Sequence, residues 1–190
     1  PDPALMAELH RMLARARKPL VILGNGAAWT DQGRADLRAW ITANDLPAAV
    51  GFRRQSVFDN HLPQYIGDLG NGGDPALFAA AKEADLVISV GSRLGEPVTQ
   101  GYSVFTPPAI GVPFVHVMPE GSELGRVYQA DLAIQADLSA FAAAAAALPP
   151  LDPPWRAWTK KLRAQRLKWS TEVPEYEGPL NVAAAMRELE

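Results

Sequence analysis

The chain has 190 residues, 48% hydrophobic and 21% charged, enough for one sizeable globular domain with an appendage. Its 18 Lys and Arg against 21 Asp and Glu give a formal net charge of -3, without the basic excess of a general nucleic-acid binder. The absence of Cys excludes disulfides, zinc–thiolate sites and cysteine nucleophiles and fits a cytoplasmic protein, and no apolar run is long enough to cross a bilayer.

In chain order, Ala4 to Ala16 reads as an amphipathic helix with Leu5, Leu9, Met12 and Leu13 on one face. Leu20, Val21, Ile22 and Leu23 form an uninterrupted apolar run, the pattern of a parallel strand buried on both faces, and Gly24-Asn25-Gly26 stops it abruptly. Thr30 or Asp31 then caps a helix to about Ala43 that carries Leu37, Trp40 and Ile41 inward. Strand, glycine turn and helix N-terminus make a corner that favours a phosphate. The strict dinucleotide fingerprint is not met, because Trp29 stands at its third glycine.

Pro47 to Val50 is a short second strand, followed by a polar loop that places Arg53, Arg54 and Gln55 at the strand's carboxyl end. Gln64 to Ile66 reads as a third strand and Gly67 to Asp74 as a glycine-rich turn, with Asp74-Pro75 opening a helix to Ala84. Asp85 to Val90 is a fourth strand, ended by Gly91-Ser92-Arg93, and Pro97 to Gly111 a long loop. Pro113 to Val117 and Asp131 to Ile134 are the fifth and sixth strands, and Leu138 to Leu148 is an alanine-rich helix.

Six short strands separated mostly by helices predict an α/β fold: a Rossmann-like doubly wound parallel sheet, order 3-2-1-4-5-6, with helices on both faces. Its switch point lies between the first and fourth strands. The predicted ligand-binding residues are therefore Gly24, Asn25, Gly26, Gly91, Ser92 and Arg93. Arg93 has two readings, a phosphate clamp or a salt bridge closing the sheet edge. His10, His61 and His116 fall on separate elements, so neither a metal site nor a catalytic set is expected.

Pro149-Pro150-Leu151-Asp152-Pro153-Pro154 marks a boundary, dividing residues 1–148 from 149–190. Beyond it, Trp155 to Ser170 is a basic helix holding Trp155, Trp158 and Trp169. The acidic remainder of the chain favours tryptophans packed on a neighbour over a nucleic-acid or membrane surface. Glu172 to Gly178 is a polar connector and Pro179-Leu180-Asn181 starts a last helix. That helix and the Pro1 start read as a segment cut from a longer protein.

From about Ala14 to Leu148 the chain resembles the central domain of thiamine-diphosphate-dependent enzymes of the acetolactate synthase type. The resemblance is carried by Arg17-Lys18-Pro19-Leu20-Val21-Ile22-Leu23-Gly24-Asn25-Gly26, Leu46-Pro47-Ala48-Ala49-Val50, Phe58-Asp59-Asn60-His61-Leu62-Pro63-Gln64-Tyr65-Ile66-Gly67 and, most sharply, Ala84-Asp85-Leu86-Val87-Ile88-Ser89-Val90-Gly91-Ser92-Arg93. It implies a parent, a homo-oligomer, that decarboxylates or ligates a 2-keto acid with thiamine diphosphate and magnesium. The family's activating glutamate and its Gly-Asp-Gly…Asn motif lie in other domains, so this segment is expected to hold neither cofactor and no catalytic residue. The other domains of the same chain are its implied partners.

Some relatives bind FAD across this domain, others ADP, and others nothing. FAD-binding relatives continue after Arg93 with Phe-Asp-Asp-Arg and have a fifth strand Ile-Asp-Ile-Asp-Pro. Here the stretches are Leu94-Gly95-Glu96-Pro97 and Val115-His116-Val117-Met118-Pro119. FAD is therefore not expected, and an ADP-like nucleotide is the ligand left open. The competing reading is a free-standing Rossmann-like nucleotide-binding module.

Overall fold

Every residue of strands β1 (Pro19–Leu23), β2 (Ala48–Gly51), β4 (Leu86–Val90) and β5 (Phe114–Met118) is buried. Strands buried on both faces need layers on both sides, which is why they read as continuous apolar runs. The computed structural model describes residues 1–25, 28–172 and 181–188. With β3 (Tyr65–Leu69) and β6 (Leu132–Gln135), its six strands form one parallel sheet in the predicted order, β3-β2-β1-β4-β5-β6. β6 (Leu132–Gln135) is an edge strand with alternate residues buried, Leu132 and Ile134 inward and Ala133 and Gln135 outward.

The helices follow the capping signals. Asp2 caps α1 (Pro3–Arg15), Thr30 caps α2 (Asp31–Ala43), Asp74 caps α3 (Pro75–Glu83) and Asp137 caps α5 (Leu138–Ala146), each accepting from a backbone N–H of its first turn. On α1 the core takes Met6 with Leu9 and Leu13, while Leu5 and Met12 are only partly buried. Helices α2 and α5 pack together, with Trp40 edge-on to Phe141 at 5.9 Å between ring centroids. Gly33 allows the approach, since a Cβ there would collide with Ser139.

The structure changes two local readings. The third strand, β3 (Tyr65–Leu69), runs through the expected start of the glycine-rich turn. Its pairing with β2 slips between Ala48 and Ala49, so Ile66 is skipped and Gly67, at φ +119°, carries the irregularity. The long loop after β4 contains a short helix, α4 (Glu96–Thr99), with Val98, Val104 and Phe105 buried.

After the prolines, α6 (Arg156–Thr171) packs on the sheet. Trp155 Nε1 donates to the Asn44 carbonyl (3.0 Å), Trp158 Nε1 to the Pro19 carbonyl (3.2 Å) and Thr159 Oγ1 to the Asp45 carbonyl (2.8 Å). Arg163 reaches the carbonyls of Asn60, His61 and Tyr65 and holds the approach to β3. Two of the tryptophans thus pack as expected, whereas Trp169 is 44% exposed. A last short helix, α7 (Val182–Arg187), is capped by Asn181. The connector after Glu172, with Pro179 and Leu180, lies outside the described residues.

Candidate functional site

The turn after β1 and the turn after β4 are in direct contact at the carboxyl end of the sheet. Gly24 N–H donates to the Val90 carbonyl at 2.9 Å, and a Cβ on Gly24 would lie 2.5 Å from Gly91 O and 2.7 Å from Ser92 Cα. Gly91 takes φ +72° and Asn25 φ +49°, the left-handed region that glycine, and less often asparagine, adopts. A crevice of about 440 Å³ opens beside this contact. Gly24, Asn25, Gly91, Ser92 and Arg93 all line it, joined by Phe52 and Arg54 from the β2 side and Met118, Pro119 and Glu120 from β5. Five of the six sequence-selected residues thus meet in one place, and Gly26 lies outside the described residues.

The corner is built differently from a dinucleotide turn. Trp29 is 5% exposed and its Nε1 donates to the Gly24 carbonyl at 2.9 Å, so the side chain in the third-glycine position ties the turn down. The start of α2 is closed by its own residues. Thr30 Oγ1 accepts from Gly33 N–H at 3.0 Å, and the Thr30 N–H and hydroxyl both reach Ser139 Oγ. None of the α2 residues lines the crevice, whose charged lining residues are Arg54, Arg93 and Glu120.

Beneath the β4 turn, Ser89 Oγ (2.8 Å) and His116 Nε2 (3.0 Å) both reach the Ser92 carbonyl. A carbonyl only accepts, so Nε2 carries the proton. His116 is 3% exposed, stacks on Phe114 at 5.2 Å, and its Nδ1 has no partner among the described residues. Burial lowers the imidazole pKa, opposed by the bond to Ser92 and by Glu123. Met118, two residues on, lines the crevice as a thioether.

Arg93 satisfies the salt-bridge reading: its Nε lies 2.8 Å from Glu123 Oε2, and Glu123 Oε1 also takes Arg126 Nη1 at 3.0 Å. Arg93 also lines the crevice. Sequence spacing missed the Glu123 contact, because the turn Gly121–Glu123 folds it back towards β4. His61 lies in a second groove, with its N–H donating to Asp59 Oδ1 and its carbonyl accepting from Arg163.

A thiamine diphosphate site needs hard oxygen donors around a magnesium ion, and these residues do not fit it. The nearest sequence, Gly67-Asp68-Leu69, is part of β3, with Asp68 in register with Val50. No group of three or more His, Cys, Asp or Glu suited to a metal occurs among the described residues. No helix among them is long and apolar enough to cross a membrane.

The family model described as thiamine pyrophosphate enzyme, central domain, matches residues 6–145. Among individual relatives, the chain is 30% identical over 176 residues to the acetolactate synthase isozyme 2 large subunit of Escherichia coli (strain K12), covering 90% of this chain and 30% of that protein. It is 28% identical over 194 residues to the acetolactate synthase large subunit of Parasynechococcus marenigrum (strain WH8102), covering 99% of this chain and 31% of that one. A 105-residue match at 30% identity, covering 55% of this chain and 16% of the relative, links it to 3D-(3,5/4)-trihydroxycyclohexane-1,2-dione hydrolase 2 of Bacillus cereus. The chain therefore spans less than a third of the length of these relatives.

Proposed function

We propose a supporting role for this chain, which belongs to the thiamine pyrophosphate enzyme family as a central domain of the acetolactate-synthase-like type. In this reading the intact parent acts on 2-keto acids with thiamine diphosphate and magnesium bound by other domains. The central domain contributes a rigid α/β body for assembly with those domains and with further copies of the parent. Residues 1–148 form that body; residues 149–190 lead towards the following domain, with α6 folded back on the sheet. The family match over most of the chain favours this role over a free-standing nucleotide-binding module.

The same reading assigns the switch-point crevice to a phosphorylated ligand of the ADP type. The observation that carries it is the contact of Gly24 with Gly91 beside Arg93 and Arg54, which leaves backbone and guanidinium groups facing one cleft. FAD fits it poorly. The β5 side offers Met118 to the cleft, and His116 is buried below it on the Ser92 carbonyl. Each polar group left unpaired on binding would cost about 1–3 kcal/mol.

Calorimetric titration of ADP and FAD into wild-type and Arg93→Ala chains tests this. The expected result is ADP binding weakened by Arg93→Ala, with purified protein free of flavin absorbance. Equal ADP binding by both proteins would remove Arg93 from the site, and a stoichiometric flavin spectrum would overturn the exclusion of FAD.

A further inference from the structure

Glu123 is 6% exposed, yet the two guanidinium groups it binds are largely in solvent, with Arg93 at 64% and Arg126 at 66% side-chain exposure. A buried carboxylate persists only when paired. Arg126, three residues along on the same turn, already supplies one pair. Arg93 comes from the end of β4, and its Nε lies 2.8 Å from Glu123 Oε2. Neither terminal nitrogen of Arg93 donates a hydrogen bond among the described residues, so the fork that grips phosphate oxygens is open while Nε lies against Glu123. Arg93 lines the crevice; Glu123 does not.

We infer that Glu123 is a positioning residue for anion binding: it fixes the Arg93 guanidinium at the crevice mouth and leaves both of its Nη groups available to a phosphate. The inference rests on the phosphate reading of the crevice given above. It also adds an opposing effect. Removing Glu123 deletes a negative charge near the ligand, which alone would strengthen anion binding, but it frees a rotamer-rich side chain that must then be ordered on binding. Salt separates the two. Concentrated salt shortens the screening length towards about 3 Å, suppressing the charge effect, whereas the ordering cost remains. Holding one long side chain in place corresponds to about a threefold to tenfold change in affinity.

The experiment is calorimetric titration of ADP, with inorganic pyrophosphate as a second probe, in 0.5 M NaCl. It compares wild type, Glu123→Ala, Arg93→Ala and the double variant. Glu123→Asp withdraws the carboxylate by one methylene without removing its charge, and it serves if the alanine variant fails to fold. Glu123→Ala or Glu123→Asp is expected to weaken binding about threefold to tenfold, and Glu123→Ala to have no further effect once Arg93 is alanine. Arg126→Gln is expected to bind like wild type. If wild type binds but the Glu123 variants bind as tightly, or if Glu123→Ala weakens binding equally with and without Arg93, the positioning role is overturned and the crevice reading stands. If wild type takes up neither ADP nor pyrophosphate, both are overturned.

Discussion

Gly24 and Gly91 meet so closely that a single methyl group on Gly24 would lie 2.5 Å from the Gly91 carbonyl oxygen. The contact couples the ends of the two central strands, and no side chain larger than hydrogen fits between them. Gly24→Ala must push the turns apart, and overpacking of this kind costs about 1–3 kcal/mol. Gly95→Ala is the control, since a Cβ at Gly95 meets nothing within 4 Å. It should change stability by less than about 0.5 kcal/mol. Urea denaturation of both variants checks the difference.

Among the described residues, Trp29 is the side chain that donates to the Gly24 carbonyl. Trp29→Phe keeps most of the buried ring but removes the donor, leaving a buried acceptor without it. The expected loss is about 1–3 kcal/mol, measured as a lower urea midpoint at unchanged slope. A midpoint equal to wild type would show that the carbonyl finds another donor.

His116 makes stability depend on pH. Burial holds its folded pKa below the ordinary imidazole value of 6.5, so near that pH the unfolded chain binds more protons than the folded one. The contribution of neutral His116 is complete above the unfolded value and is lost as pH falls below it towards the lowered folded value. Unfolding free energy should therefore decline from pH 7.5 to 5.5, and His116→Gln should flatten that decline. An unchanged slope in the variant would assign the pH dependence to other groups.

The packing of α6 predicts a large effect far from the crevice. Trp155 is 1% exposed and donates to the Asn44 carbonyl. Trp155→Ala should cost about 3–5 kcal/mol. Trp169→Ala, at an exposed position on the same helix, should cost less than about 0.5 kcal/mol. Comparable melting temperatures for the two variants would contradict the docked arrangement of α6.

The sheet order was legible because Leu20–Leu23 and Leu86–Val90 are apolar at almost every position and each ends in glycine. Burial on both faces leaves little choice of residue, and the right-handed crossover rule limits the topology. The meeting of Gly24 and Asn25 with Gly91, Ser92 and Arg93 followed from that order. What the sequence concealed depends on contacts made across long separations. Gly67 resembled the start of a turn because a slipped pairing and a turn both use glycine's positive φ. Trp29 resembled a broken fingerprint until its indole was seen on Gly24. The Glu123–Arg93 pair was hidden because spacing along β5 does not predict a turn that brings Glu123 back to Arg93. His116 read only as a departure from the FAD-binding pattern, and only the fold shows it serving the Ser92 carbonyl below the crevice.

In the proposed role this domain supports thiamine diphosphate chemistry without performing it. The most direct measurement is carbon dioxide release and acetolactate formation from pyruvate by the purified 190-residue chain, supplied with saturating thiamine diphosphate and magnesium. Rates equal to the protein-free control are expected. Turnover well above that control, abolished by heat-denaturing the protein, would contradict it.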